Sequence, residues 1–209
     1  MCIRDRAKYW DTLENLVEVP EKYEDQVDQF RSLFMDACKL RMRSDVPIGT
    51  ALSGGVDSSV VASAMHAVQQ EGNTRIPDNW QKAFVAAFPG TRLDESQYAK
   101  KVIDHLDLDG YIFEIKKSAD FSLVQKYIGQ FGDLSTTSPV PMVNLYKKVK
   151  ENGVTVTLDG HGADEALSGY VDALFYTFLD KPLDYQFHKE TYSIYTCLLY
   201  TSPSPRDRG

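Results

Sequence analysis

The sequence predicts an α/β domain built on a doubly wound parallel sheet. Three observations carry that reading. Four short apolar runs, the last of them rich in β-branched residues, each end in a glycine-containing or polar loop. Between them lie segments with apolar residues three and four apart, the helical period. The order is strand then helix, repeated, which calls for crossover connections and helices on both sheet faces. Composition agrees: 43% hydrophobic and 25% charged residues are ordinary globular values. A chain of 209 residues holds one large domain or two small ones.

Along the chain, residues 22–43 carry Val27, Phe30, Phe34, Ala37, Cys38, Leu40 and Met42 at helical spacing, and Asp45-Val46-Pro47 ends that helix. Ile48 to Leu52 is the first strand, broken by Ser53-Gly54-Gly55. Val60 to Val68 reads as a helix, and Ala83 to Phe88 as the second strand, closed by Pro89-Gly90. Asp94 is placed to cap a helix, with Gln97 as its capping-box partner. Tyr111 to Ile115 is the third strand, and Ser118 opens a helix running to Phe131. Ser138-Pro139 opens another to Glu151, stopped by Asn152-Gly153. Val154 to Leu158 is the fourth strand, followed by the polar loop Asp159 to Asp164. Tyr170 to Thr196 is aromatic and helical, and calls for further partner surface.

The two ends are expected not to belong to the fold. Codons TGT CTC TTA TAC ACA TCT encode Cys197 to Ser202, and their reverse complement, AGATGTGTATAAGAGACA, read from its ATG gives Met-Cys-Ile-Arg-Asp, the first five residues. One short DNA element in two orientations thus accounts for both ends, and it resembles the transposon-end adapter used to build sequencing libraries. Residues 1–6 and 197–209 are therefore set aside, and residues 7–196 are expected to be a piece of a longer protein. Cys2 falls in the set-aside part and receives no role as an N-terminal nucleophile.

Several classes are excluded. A net charge of −7 argues against a nucleic-acid footprint. No apolar run is long enough to span a bilayer, and no basic-then-apolar leader opens the chain. Cys2, Cys38 and Cys197 are too few and too scattered for a disulfide framework or a zinc site. The expectation is a reduced, cytoplasmic protein. His66, His105 and His188 have no ligand-like spacing.

Two loops at strand carboxyl ends look chemical, and such ends are where open α/β sheets bind ligands. The first is Ser53-Gly54-Gly55-Val56-Asp57-Ser58-Ser59. Its glycines allow close approach of backbone to an anion. The helix after it aims free N–H groups and a favourable dipole at such a group. Ser53, Ser58 and Ser59 add hydroxyl donors. The spacing is not that of a Walker A loop, and no lysine succeeds the glycines. Positive charge must come from elsewhere, and Asp57 offers a ligand for Mg²⁺. The plainer reading makes this a serine-rich turn with Asp57 as a helix cap. The second loop is Asp159-Gly160-His161-Gly162-Ala163-Asp164-Glu165.

The string Ser-Gly-Gly-Val-Asp-Ser-Ser resembles the pyrophosphatase loop of the ATP pyrophosphatase superfamily. Those enzymes cleave ATP between the α and β phosphates and form an adenylated intermediate. The second loop, with Gly169-Tyr170 after it, resembles the Gly-x-Gly-x-Asp-Glu loop of asparagine synthetases. Further matches lie in order: Arg41 to Pro47, Phe84 to Gly90, Leu93-Asp94-Glu95-Ser96 and Asp133 to Pro141. The resemblance spans about Tyr23 to Tyr170. It implies the synthetase domain of a glutamine-hydrolysing asparagine synthetase, with a Rossmann-like fold of the adenine nucleotide alpha hydrolase type.

The same resemblance implies roles for individual residues. Leu52, Ser53, Gly54, Gly55, Val56, Asp57 and Ser58 would hold ATP and its pyrophosphate. Ala86 would meet adenine, and Asp159 and Gly160 would contact nucleotide or intermediate. Asp57 and Asp164 would hold Mg²⁺. The family often has Glu or Gln where this chain has His161, and a neutral imidazole there could act as a base towards ammonia. The catalytic set would be His161, Asp164 and Glu165. Plainer readings make His161 a loop residue bonded to backbone and Asp164-Glu165 favourable charge at a helix start. Ser135, Thr136, Thr137 and Ser138 would line an acceptor site, with a helix cap the other reading of Ser138. The reaction implied is ATP-dependent conversion of aspartate to asparagine. Ammonia would come from a glutaminase domain upstream, and the resemblance admits a homodimer. The piece alone is expected to be inactive. Two alternatives stand beside this: an amidotransferase acting on another carboxylate, such as a cell-surface sugar precursor, and a nucleotide-binding module without turnover.

The two loops also set a geometric expectation. The first and fourth strands should be neighbours, with the second and third beyond the first, so that both loops face one cleft. The carboxylates of Asp57 and Asp164 should then lie on the order of 4–8 Å apart, bridged through metal or water.

Overall fold

A computed structural model describes residues 8–72, 80–115, 121–132, 139–167, 170, 176 and 184–201. The chain forms two compact units, residues 1–37 and 38–209. In the first, Asp11 accepts the Leu13 amide at 2.8 Å and its own carbonyl accepts from Asn15, winding the short 3₁₀ turn Leu13–Asn15. Helix α1 (Tyr23–Arg41) begins there, with Glu24 and Asp25 at its positive end and Phe30 stacked on Phe34. Its last turn belongs to the second unit, where Cys38 and Met42 are buried. Burial pushes the Cys38 thiol above its ordinary range.

The second unit is a parallel four-stranded sheet. Its strands are β1 (Ile48–Ala51), β2 (Gln81–Ala87), β3 (Asp109–Glu114) and β4 (Val156–Thr157). They are ordered β3-β2-β1-β4, and every neighbouring pair is parallel. Order reverses at β1, with β2 on one side and β4 on the other, as the sequence led one to expect. The helices are α2 (Val56–Gln70), α3 (Ser96–Leu106), α4 (Phe121–Phe131), α5 (Val140–Glu151), α6 (Ala163–Leu167) and α7 (Tyr185–Thr201).

The period of two along β2 builds a core on each face. Ala83 and Val85 pack with Leu52, with Ala62 of α2 and with Ala99 and Ile103 of α3. Phe84 points the other way, to Val149 of α5 and Val154. It stacks on Tyr111 and Phe113 of β3 at 5.3 and 6.2 Å. Gly49 leaves the room for this ring, because a β-carbon there would stand 2.9 Å from it. The sheet is thus covered on both faces, the doubly wound arrangement.

Several boundaries move from their expected places. Helix α2 starts at Val56 rather than Val60, because Gly55 and the polar first turn form its entry. Asp57 lies inside that turn and Gly55 is the cap. Helix α3 starts at Ser96. Asp94 acts from outside it, its Oδ1 accepting the amides of Ser96 and of Phe88 at 3.2 Å each. Bonding to Ser96 holds the Asp94 carboxyl below the usual range. Strand β4 is only two residues long, although the Leu158 amide still bonds Gly49. Helix α5 begins at Val140. The cap at Ser118, the acceptor stretch Ser135 to Ser138 and Gly169 lie outside the described residues. So do residues 1–6 and 202–209 of the two ends, while residues 197–201, also expected to lie outside the fold, continue helix α7. Among the described residues no helix is long and apolar enough to cross a membrane.

Candidate active site

Strands β1 and β4 end side by side, and each hands its chain to a loop and a helix start. Asp159, just beyond β4, ties the two ends together. Its Oδ1 accepts the Ala51 amide of β1 at 2.7 Å. Its Oδ2 accepts the hydroxyls of Tyr146 at 2.6 Å and Thr157 at 2.9 Å. Burial, then the bond to Asp159, holds the Tyr146 phenol well above its ordinary range, so it stays a donor.

The first loop is knit by its serines. Ser53 Oγ accepts the Gly55 amide at 3.1 Å and lies 3.0 Å from Ser58 Oγ. Ser59, expected as a donor to ligand, turns its hydroxyl back onto the Gly55 carbonyl at 2.7 Å. Gly54 has φ +85, and a β-carbon on it would stand 2.3 Å from the Ala99 amide nitrogen. This glycine therefore serves the seat of the loop on α3. In the second loop a β-carbon on Gly160 would stand 2.7 Å from the Ser58 amide nitrogen. The two loops are in direct contact.

A cleft of about 620 Å³ opens over them. Its polar wall includes Ser53, Asp57, Ser58, His161, Asp164 and Glu165, so the three residues expected to be catalytic share it with both expected metal ligands. Leu52, Gly55, Ala86 and Gly160 also line it. Gly54, Val56 and Asp159 do not: Gly54 faces α3, the Val56 side chain is 78% exposed, and the Asp159 carboxylate is engaged by Ala51 and Tyr146. Tyr170, next to the second loop, donates its hydroxyl to Glu165 at 2.7 Å, and this bond lowers the Glu165 carboxyl.

The sequence reading missed the apolar part of the lining. Phe88, Leu93, Met142, Leu145 and Tyr146 supply an apolar face. The signal was the spacing 142, 145, 146 on α5, one helical stripe. Read alone, such a stripe says only that it is buried. The donor set of the cleft is largely hard oxygen, the carboxylates of Asp57, Glu95, Asp164 and Glu165 and the hydroxyls of Ser53 and Ser58. Among the described residues no three His, Cys, Asp or Glu side chains cluster as a metal cage. The oxygen donors present fit Mg²⁺ carried in on phosphates, which takes one or two protein carboxylates and keeps waters.

Comparisons with known proteins bear on the chain's family. The family model for asparagine synthase matches residues 29–196. Asparagine synthetase [glutamine-hydrolyzing] 1 of Bacillus subtilis is 31% identical over 157 residues, 75% of this chain and 23% of that protein. Amidase chry2 of Gibberella zeae is 29% identical over 199 residues, 85% of this chain and 28% of that protein. The chain spans about a quarter of the length of the curated relatives it matches. Among solved structures, the NH3-dependent NAD synthetase of Campylobacter jejuni aligns with a TM-score of 0.44 at 18% identity, covering 68% of this chain and 60% of that one.

Proposed function

The chain belongs to the asparagine synthase family, and from that premise we propose that its cleft activates a carboxylate with ATP for conversion to an amide. The observation that carries this is the contact of the two loops across the switch point, Gly160 on Ser58. It puts an anion-binding helix start and an acidic helix start into one cleft.

In this reading the ATP phosphates sit at the first turn of α2, whose N–H groups have no intrahelical acceptor. Ser53 and Ser58 add hydroxyls, and adenine lies by Ala86 and Leu52 against the apolar wall. Asp57 and Asp164 would hold Mg²⁺, which supplies positive charge to the phosphates in place of a lysine. A carboxylate oxygen of the acceptor attacks the α-phosphorus, and pyrophosphate leaves. Ammonia then attacks the acyl carbon and AMP leaves. His161 takes the proton released from nitrogen. Positioning and charge complementarity supply most of the acceleration. Asp159 enters as a positioning group rather than as a nucleotide contact, because its oxygens are engaged by Ala51, Tyr146 and Thr157.

Aspartate is the acceptor favoured by the asparagine synthetase relatives, with ammonia from a glutaminase domain of the parent protein in a cytoplasmic setting. A homodimer is compatible with this reading. A second reading keeps the chemistry and changes the acceptor: the relative named an amidase aligns over 85% of the chain. The 209-residue chain alone is expected to make no amide. The test is pyrophosphate release by the full-length protein with Mg–ATP and aspartate. Release that requires aspartate supports the first reading, and release with another carboxylate supports the second. ATP binding without any release would leave a nucleotide-binding module.

A further inference from the structure

We propose that Asp159 is the positioning residue for His161, holding the imidazole so that Nε2 faces the incoming nitrogen nucleophile. This rests on the amide-forming reading, and its test can be read separately from that reading.

The first ground is rigidity. Asp159 is fixed by three hydrogen bonds from three places in the chain: the Ala51 amide of β1, the Tyr146 hydroxyl of α5 and the Thr157 hydroxyl of β4. Its side chain is 10% exposed. Tyr146 holds its proton, because burial and the carboxylate together raise it. It stays a donor to Oδ2 and does not compete for the proton in transit.

The second ground is placement. His161 Nδ1 lies 3.9 Å from that same Oδ2, and the His161 side chain is 66% exposed on the cleft wall. A fixed carboxylate thus faces an adjustable imidazole that borders the reaction space. Side-chain rotation of about 1 Å brings Nδ1–H into hydrogen-bond range, and catalytic hydrogen bonds commonly tighten only when substrate is bound. A carboxylate at Nδ1 selects the tautomer with the proton there, and the lone pair is left on Nε2. Glu165, which also feels the His161 charge, is engaged by the Tyr170 hydroxyl. Asp57, Asp164 and Glu95 border the cleft as well.

In the amide-forming step the ammonia lone pair forms the C–N bond to the acyl carbon, and the carbonyl pair moves onto oxygen. That pair returns as the bond from carbon to the AMP phosphate oxygen breaks, and AMP leaves with those electrons. One N–H proton passes to His161 Nε2 and then to water. Asp159 faces the imidazolium that forms.

The test uses the full-length protein in two measurements. The first is ¹⁵N NMR of labelled histidine, with the His161 signals identified by their loss in His161→Gln, at a pH where the ring is neutral. The wild type is expected to hold the Nδ1–H tautomer, and Asp159→Asn to lose that preference. An unchanged tautomer overturns the proposal. The second is single-turnover amide formation from acyl-adenylate and ammonia. Asp159→Asn is expected to slow it roughly 10²-fold, the usual range for a general base. In the His161→Gln background the same change should cost less than about twofold, because Asp159 acts through the imidazole. An equal cost in both backgrounds marks a merely structural role and overturns the proposal. Where Asp159→Asn does not fold, Thr157→Val replaces it, removing one donor from Oδ2 and keeping the carboxylate. Its effect on rate must likewise vanish with His161. If no acyl-adenylate forms at all, the amide-forming reading fails, while the tautomer measurement still decides the dyad.

Discussion

Gly160 rests on the amide of Ser58: a β-carbon on the glycine would stand 2.7 Å from that nitrogen and 2.8 Å from the Asp57 carbonyl carbon. Both neighbours are backbone, so neither can swing aside. The two loops are held at one spacing by the absence of a side chain. Gly160→Ala must therefore part the loops or strain the first turn of α2. The expected cost is about 1–3 kcal/mol of stability, the range for overpacking, together with at least tenfold weaker Mg–ATP binding. Thermal melting and calorimetry on the same sample measure both. Unchanged binding with lowered stability would separate the contact from the ligand site.

Gly54 makes a different prediction, because two causes act there. Its φ of +85 disfavours any side chain, and a β-carbon would overlap the Ala99 amide of α3 at 2.3 Å. Gly72 has φ +70 and nothing within 4 Å. Gly72→Ala isolates the conformational cost, about 1 kcal/mol. Gly54→Ala adds overpacking and is expected to cost on the order of 3 kcal/mol. Urea melts of the two variants compare them directly. Equal costs would mean that α3 yields to the new methyl group.

The sequence carried the sheet because its strands stand as short apolar runs between helical segments, Ala83 to Phe88 among them, and the structure then sorts Ala83 and Val85 to one face and Phe84 to the other. It carried the two loops because glycine, serine and aspartate in those strings have few other uses. It did not carry where helices start. The first turn of α2 is polar and periodicity is blind to it, and Asp94 caps α3 from one residue further out than a capping box allows. Nor did it carry the work of each glycine. Gly54 reads as a phosphate-approach residue, and its contact with Ala99 is a further reason for glycine that no local pattern shows. Asp159 was singled out for a ligand, yet its oxygens face Ala51, Tyr146 and Thr157, which lie up to 108 residues away. No local pattern encodes such a meeting.

Tyr146 offers a prediction whose sign depends on pH. Tyr146→Phe removes the donor to Asp159 and should cost about 1.5–3 kcal/mol near neutrality, the range for a hydrogen bond to a charged group. The folded phenol is raised above its unfolded value of about 10. Its contribution is therefore fully present below about pH 10. It is lost as pH rises from there, because the unfolded chain releases the proton first. The stability gap between wild type and variant should be flat from about pH 6 to 9 and narrow above about 10. Denaturant melts across that range measure it. A gap that widens above about pH 10 would contradict the bond between Tyr146 and Asp159.

The last prediction concerns Asp57 and Asp164, which border one cleft with Ser53 and Ser58 of the first loop. Without metal, each adds negative charge where ATP brings more of the same sign. Removing one should then strengthen binding of metal-free ATP, an electrostatic gain that added salt diminishes. With Mg²⁺ the sign should reverse, because on the proposed reading the carboxylate would hold the ion that neutralises the phosphates. Asp57→Asn and Asp164→Asn should each bind ATP more tightly than wild type in chelator and more weakly in millimolar Mg²⁺. If both carboxylates serve a shared ion, the double variant should lose little more Mg²⁺ dependence than either single one, since the first removal already breaks the site. Calorimetric titration of ATP at several Mg²⁺ concentrations gives the affinities of wild type, both single variants and the double. Additive losses would place the two carboxylates on separate ions. A variant that binds more weakly with and without Mg²⁺ would show its aspartate shaping the loop rather than holding metal.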